Sequence, residues 1–446
     1  MHFQTTNANA ILTRKVPWHI FLFLLVVFWF ATPYDFSYSK NMKTTLETMD
    51  TGIIIDSVKK GSIGRRIALL SLLGVSLICL FRRGLHGLRP IGIMGYLILF
   101  YASWATLSIF WANEPLLTAR RLMVFWILII SAFSMASRLS LNDVAILTFF
   151  ISMTTLLISI GAELGVGVFH PLRTGYRFAG VMHPVAQGWN CGLLAISSVF
   201  ISESMRGYRN IFRGAFFIAV IFLIFTRSRM PLASLIIALT LYWLLSSSGL
   251  KIMFWLCALI FLLCLVYFAF GDDLIKNPAF LISLGRGSEG LESVKTLTGR
   301  TLLWRECIQY VADRPLLGMG YGVSLSQALL TKVSTAINWI PANTHSGFIE
   351  NLVGLGIIGM MAFTGIVICG IQKAFSLLRL SSDYLLVITV LTWLCINLML
   401  ESTMITEPTF PTFLSMFFLA KLGFVVAKNP IPQEFAKDRE FATNKV

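Results

Sequence analysis

Apolar stretches long enough to cross a bilayer recur from residue 17 to residue 427, and one long polar stretch, residues 271–345, interrupts them. A membrane helix needs about 20 predominantly apolar residues, with a range of roughly 17–25. Hydrocarbon offers the backbone no hydrogen-bond partner, so only helices or closed barrels can span it. A barrel would show short segments of alternating polarity, and these are absent. Composition agrees: 56% of the residues are hydrophobic and 13% charged, whereas soluble domains carry about 25% charged residues. The chain reads as an all-α integral membrane protein.

Twelve spans are expected, at 17–33, 63–81, 90–111, 121–138, 144–162, 184–202, 211–226, 229–248, 252–270, 346–371, 384–400 and 409–427. They divide the chain into nine N-terminal spans (1–270), the long polar loop (271–345), three C-terminal spans (346–428) and a polar tail (429–446). Arg14-Lys15 precedes the first apolar run as in a signal peptide, but no A-x-A-like cleavage site follows, so a retained first helix is expected. Loops between membrane helices are usually short, so one as long as 271–345 calls for a functional reason.

The formal net charge is +15. No basic domain lies outside the membrane, which argues against nucleic acid and for acidic headgroups or a phosphorylated lipid substrate. With both termini inside, the basic residues divide almost evenly between the two faces, so their total does not set orientation. The external set differs in kind. It includes Arg120, Arg121, Arg173, Arg177, Arg227, Arg229, Arg286, Arg300, Arg305 and Arg314, many of them next to a span end. Guanidinium grips phosphate oxygens with a two-pronged geometry, so phosphate binding at the external leaflet would explain them. Of the seven cysteines, Cys307 stands alone in the long loop and the other six fall in apolar runs. No Cys/His spacing suits zinc, and all seven read as small buried side chains.

Several motifs carry possible chemistry. Thr226-Arg227-Ser228-Arg229 separates two apolar runs; its arginines either cap a helical hairpin and reach up to headgroups, or bind phosphate. Arg173 and Arg177 lead to His183-Pro184, where proline opens a helix and His183 reads as an interfacial hydrogen-bonding residue. Thr298 is a plausible N-cap for an amphipathic helix with Trp304, Ile308 and Val311 at helical spacing, ended by Arg314-Pro315. A cation in a first turn opposes the helix dipole, so Arg300 is not there for helix stability; an anion shared with the helix N-terminus would account for it. Gly318-Met319-Gly320-Tyr321-Gly322 lacks the strand and the Gly-Lys-Ser/Thr of a nucleotide loop and reads as a tight turn. His345 closes the long loop, with Glu350 one to two turns on, at the interface that carries the arginines. A functional role is favoured for it, because polar groups at membrane depth are expensive.

Four stretches taken together resemble the O-antigen ligase and polymerase superfamily, which includes bacterial exopolysaccharide polymerases. They are Ser108-Ile-Phe-Trp111-Ala-Asn-Glu-Pro115 ahead of Arg120-Arg121; Arg177 to Gly188 through His183-Pro184; Thr226 to Arg229; and Thr298-Gly-Arg300 and Trp304 through Pro315-Leu-Leu-Gly-Met-Gly320 to His345 and Glu350. The similarity covers about residues 95–370. Two positions depart from it: Val185 follows His183-Pro184 where the family has Asn, and Ser346 follows His345 where the family has Asn. The resemblance implies a multi-span GT-C glycosyltransferase in the bacterial inner membrane. Its donor would be an undecaprenyl-diphosphate-linked oligosaccharide used at the periplasmic face, its acceptor a glycan or glycolipid, and its transfer inverting, with no metal or cofactor. Asp272-Asp273 lacks a ligand set, so arginine would stand in for a metal. Within that frame, Arg229, Arg300 and His345 are the expected catalytic residues. Arg120, Arg121, Arg173, Arg177, Arg227, His183 and Glu350 are expected to contact substrate. Other polysaccharide export proteins are candidate partners. A surface-polysaccharide polymerase is the expected activity; the alternatives are a ligase onto lipid A core, protein O-glycosylation and, from another class, a non-enzymatic transporter of lipid-linked glycans.

Overall fold

The computed structural model describes residues 25–27, 63–81, 88–171, 173, 176–246, 300–323, 333, 343–402 and 408–426, and the expected spans that fall within them are helical over most of their described length. The helices are α1 (Ile63–Phe81), α2 (Gly92–Leu107), α3 (Pro115–Ala136), α4 (Leu141–Val166), α5 (Pro184–Ser204), α6 (Arg209–Phe225), α7 (Arg229–Ser246), α8 (Arg300–Val311), α9 (Gly347–Leu378), α10 (Tyr384–Leu400) and α11 (Phe410–Gly423). Eight helical stretches among them are long and apolar enough to cross a membrane, and α10 and α11 are shorter apolar helices. The chain is an all-α integral membrane protein. The expected span 252–270, most of span 17–33, residues 271–299 with Thr298 and Asp272-Asp273, and the tail lie outside the described residues.

Packing follows the small and apolar faces. α5 is the central helix, buried along most of its length between α4 and α6. α7 packs mainly against α10, and α9 against α2, α8 and α10. α6 and α7 barely touch although only three residues join them, so they splay apart rather than forming a hairpin. Outward-facing Phe100, Met123, Phe150, Leu157, Ile237 and Met361 stay exposed, as lipid-facing side chains do. At the face opposite the long loop, β1 (Leu88–Pro90) pairs antiparallel with β2 (Phe424–Val426). Beside it the Lys421 ammonium donates to the Ala136 carbonyl at 3.0 Å, a cation on the last turn of α3.

One expected span is broken. Gly356 lies at φ 68° and ψ −170° inside α9, so residues 347–355 and 357–378 are separate helical segments. A break within a membrane helix strands carbonyls before it and amides after it, and each left unpaired in hydrocarbon costs several kcal/mol. The glycine-rich stretch after α8 supplies the partners. The amides of Met319 and Gly320 donate to the carbonyls of Val353 and Gly354 at 2.9 and 2.8 Å, and the Ile357 amide donates to the Pro315 carbonyl at 2.8 Å. The Trp104 indole donates to the Leu355 carbonyl at 3.1 Å. Gly318-Met-Gly-Tyr-Gly322 is therefore more than a tight turn. It is a backbone plug in the helix break, and a methyl group on Gly318 would lie 2.5 Å from the Gly356 nitrogen. The stretch Ser108–Asn113 clamps the plug from outside: the Ser108 hydroxyl accepts from the Tyr321 amide at 3.0 Å and the Trp111 indole donates to the Leu317 carbonyl at 2.9 Å.

Two further expectations shift. α3 starts at Pro115 rather than at 121, so Arg120 and Arg121 sit in its second turn rather than at its start. The buried face of α8 is Leu303, Cys307 and Val311, packed with Val353 of the short segment 347–355, while Ile308 is exposed. Adjacent stripes of α8 are both apolar, and only the docking partner decides which is covered.

Candidate functional site

The loop helix and the segment leading into α9 converge on one carboxylate. Glu401, at the C-terminal end of α10, is 7% exposed. Its Oε1 accepts from Arg300 Nη2 at 2.8 Å, and its Oε2 lies 3.3 Å from His345 Nδ1. Arg300 also donates through Nη1 to the Leu400 carbonyl, the kind of free carbonyl found at a helix C-terminus. Burial alone would raise the Glu401 carboxyl, but the His345 hydrogen bond and the Arg300 charge hold it below the ordinary carboxylate range. It is therefore ionised at neutral pH, and the contribution of its ion pair persists until pH falls through that depressed value. An ionised carboxylate can only accept, so the proton of the shared contact sits on His345 Nδ1. That fixes the tautomer in which Nε2, on the opposite edge of the ring, is the basic nitrogen.

His345 itself is held in an uncommon conformation, φ 50°, a left-handed region rare for a residue with a β-carbon. The Asn343 side-chain oxygen accepts the His345 amide at 2.9 Å and supports the bend. On its other side the Trp304 indole donates to the Thr344 carbonyl at 2.9 Å, tying α8 to the same turn. Glu350 is buried, and its Oε2 accepts from the Thr344 hydroxyl at 2.8 Å. Its carboxylate thus braces the backbone next to His345. Strained backbone of this kind persists only where the surroundings over-determine it, and it concentrates at functional sites.

Four of the remaining expected residues, Arg173, Arg177, Arg227 and Arg229, form a second group on the same face. Arg227 is, among the described residues, the other non-glycine residue at φ 50°; it is 6% exposed and donates to the Arg173 carbonyl at 3.4 Å. Arg177 Nε donates to the Thr226 carbonyl at 3.3 Å, and the Phe178 amide donates to the Phe225 carbonyl at 2.8 Å. The loop carrying Arg173 and Arg177 is thereby stitched to the turn carrying Arg227 and Arg229. Glu163, near the end of α4 and 1% exposed, anchors that loop: one oxygen accepts the amides of Ala179 and Gly180 at 2.9 and 2.8 Å, and the other accepts from the Tyr176 hydroxyl. Burial and then this carboxylate push the Tyr176 phenol up, so it stays a donor.

A buried hydrogen bond between the Asn397 amide and the Ser234 hydroxyl, 2.7 Å, aligns the two groups. Ser234 is near the start of α7 and Asn397 near the end of α10, so Arg229 and Glu401 lie at the same end of this helix pair. Arg121 is half-buried beneath the plug, where a methyl group on Gly322 would meet its side chain at 2.4 Å; Arg120 is exposed. His183 is exposed and its Nδ1 accepts the Val185 amide at 3.2 Å, so it caps α5. Sequence reasoning missed Glu401 and Glu163. The available signal was an acidic residue ending, or nearly ending, an apolar run in a chain with only 21 Asp and Glu. Cys307 is buried against the segment 347–355; burial, then Glu350 and Glu306, push its thiol up to about 12, which makes it a packing residue rather than a nucleophile.

Residues 214–364 match the family described as O-antigen ligase. The matched region holds Arg227, Arg229, Arg300, His345, Glu350 and the plug, and it ends before Glu401. No curated protein matches the chain.

Proposed function

We propose that this member of the O-antigen ligase and polymerase superfamily is a glycosyltransferase that uses an undecaprenyl-diphosphate-linked glycan at the periplasmic face and polymerises a surface polysaccharide. The observation that carries this reading is the meeting of Arg300 and His345 on the single carboxylate of Glu401, at the membrane face that also bears Arg229, Arg227 and Arg177. One cation that can grip phosphate and one oriented imidazole are what transfer from a diphosphate donor needs.

In this reading Arg229 and Arg300 hold the donor diphosphate and stabilise the charge that grows on it as the glycosidic bond breaks. His345 Nε2 takes the proton of the acceptor hydroxyl. As that oxygen bonds to the anomeric carbon, the bond from that carbon to the diphosphate oxygen breaks, and its electron pair leaves with the lipid diphosphate. Attack opposite the leaving group inverts the anomeric centre. Arg227, Arg173 and Arg177 line the approach for phosphate or anionic sugars, Arg120 and Arg121 on α3 are further candidates for the same contacts, and Glu350 supports His345. No step here calls on a metal or cofactor. In this reading both termini lie in the cytoplasm.

Incubating the purified protein with lipid-linked repeat units tests the assignment. A ladder of longer lipid-linked chains is the expected product. Product that forms only after lipid A core is added would make the protein a ligase instead. Absence of covalent product with either acceptor would overturn the enzyme reading and leave a transporter of lipid-linked glycans.

A further inference from the structure

The two oxygens of Glu401 are shared between the two residues that the proposed reaction uses for different tasks. Oε1 meets Arg300 at 2.8 Å and Oε2 meets His345 at 3.3 Å, on a carboxylate that is 7% exposed. A buried carboxylate interacts strongly with whatever charge is nearest, because little water screens it. Without substrate, Arg300 neutralises Glu401, and His345 sees a nearly balanced pair. A diphosphate bound at Arg300 brings negative charge to that guanidinium and competes for its donors. Glu401 then bears on His345 with less compensation.

From this geometry we infer that Glu401 is a positioning residue that couples donor binding to activation of the base: diphosphate arriving at Arg300 frees the Glu401 carboxylate to strengthen His345. The inference rests on the functional reading given above. It goes beyond the family match, which ends before Glu401. The chemical consequence is an ordered site. His345 becomes fully basic only when a donor is present to receive the acceptor hydroxyl, and the proton leaves that hydroxyl for Nε2 in the step that expels the lipid diphosphate. Other charged groups on the elements packed here are Arg305 and Glu306 on α8, Glu350 on segment 347–355, and Arg229 at the start of α7. They are common to the wild-type protein and a Glu401 variant, so they drop out of a comparison between the two.

The test is the pH dependence of transfer by purified protein, measured with lipid-linked repeat units at low and at saturating donor. At low donor the profile reports the free enzyme, and at saturation it reports the complex. Added negative charge stabilises a proton on the nearby imidazole, so the acid limb of the wild-type profile should lie at higher pH at saturating donor than at low donor. In Glu401→Gln most of that separation should be lost, leaving only the direct effect of the diphosphate charge. That variant should lose about 10–10²-fold in kcat, part of the 10²–10⁴-fold typical of a positioned base. Its donor KM should not rise, because Arg300 is no longer held by a carboxylate. Glu401→Asp should retain part of the limb separation. Coincident limbs in the wild-type protein would overturn the inference without any variant. So would Glu401→Gln with wild-type rate, or with a separation as large as that of the wild type. His345→Ala measured alongside separates the two readings: if it is fully active the functional assignment fails, and if it is dead while Glu401→Gln is unchanged only the coupling fails.

Discussion

Arg300→Ala should abolish glycan product while the protein remains in the membrane. Two losses add. The first is the grip on the donor diphosphate: charged hydrogen bonds contribute about 1.5–3 kcal/mol each, so two from one guanidinium amount to about 3–6 kcal/mol. If they strengthen as charge develops on the leaving group, that corresponds to roughly 10²–10⁴-fold in rate. The second is the stranding of Glu401, which is buried and, among the described residues, would keep His345 as its charged partner. An uncompensated buried charge costs about 3–5 kcal/mol, and it can be relieved by Glu401 taking a proton, which removes the orientation of His345. Arg300→Lys keeps the charge but loses the fork and the contact to the Leu400 carbonyl, so partial activity is expected. Polysaccharide gels run beside immunoblots of the membrane fraction make the comparison, and normal polymer from Arg300→Ala would contradict the assignment.

Gly356→Ala should remove folded protein rather than activity alone. The residue sits at φ 68° and ψ −170°, a region open essentially only to glycine, where other residues carry about 1–3 kcal/mol of strain. Its added methyl would lie 2.2 Å from the Leu316 carbonyl oxygen and 2.7 Å from the Leu317 nitrogen. Those are backbone atoms of the plug, which cannot swing aside as a side chain can. Moving the plug breaks the bonds from Met319 and Gly320 to the carbonyls of Val353 and Gly354, in surroundings where unpaired carbonyls cost several kcal/mol. Overpacking adds about 1–3 kcal/mol more. Thermal unfolding in detergent should show a large fall in midpoint, or no monodisperse protein at all. Gly161→Ala is the control, because nothing lies within 4 Å of its added methyl on α4, and helix propensity favours alanine there.

The contrast between these two residues shows what the sequence carries. Arg300 stood out alone, because a cation in a first turn at a membrane surface opposes the helix dipole. His345 stood out because it closes a long polar stretch. The spans were legible because runs of apolar residues have one use in a bilayer. Gly356 was not legible. Gly354, Gly356 and Gly359 look alike in a glycine-rich span, and only the approach of Leu316 tells which one the backbone breaks at. Glu401 was not legible either, because an acid at the end of a span reads as a solvated cap. Its partners are 101 and 56 residues away in the chain, and only the approach of the start of α8 and of the turn before α9 to the end of α10 brings them together. The exposed Ile308 makes the same point in reverse: its spacing with Trp304 and Val311 suggested one buried stripe, and the docking of α8 covers Leu303 and Cys307 beside Val311 and leaves Ile308 out.

The central claim is that His345, oriented by Glu401 and set beside a phosphate-binding Arg300, takes the proton of the acceptor in a transfer from a lipid diphosphate. The most direct measurement is donor turnover by purified wild-type protein and His345→Ala, following both transferred glycan and released undecaprenyl diphosphate. The wild-type protein should yield the two in equal amounts. His345→Ala should bind the donor through its arginines yet release at least 10²-fold less of both, the lower end of what a positioned base contributes. Release of both at the wild-type rate by His345→Ala would contradict the account.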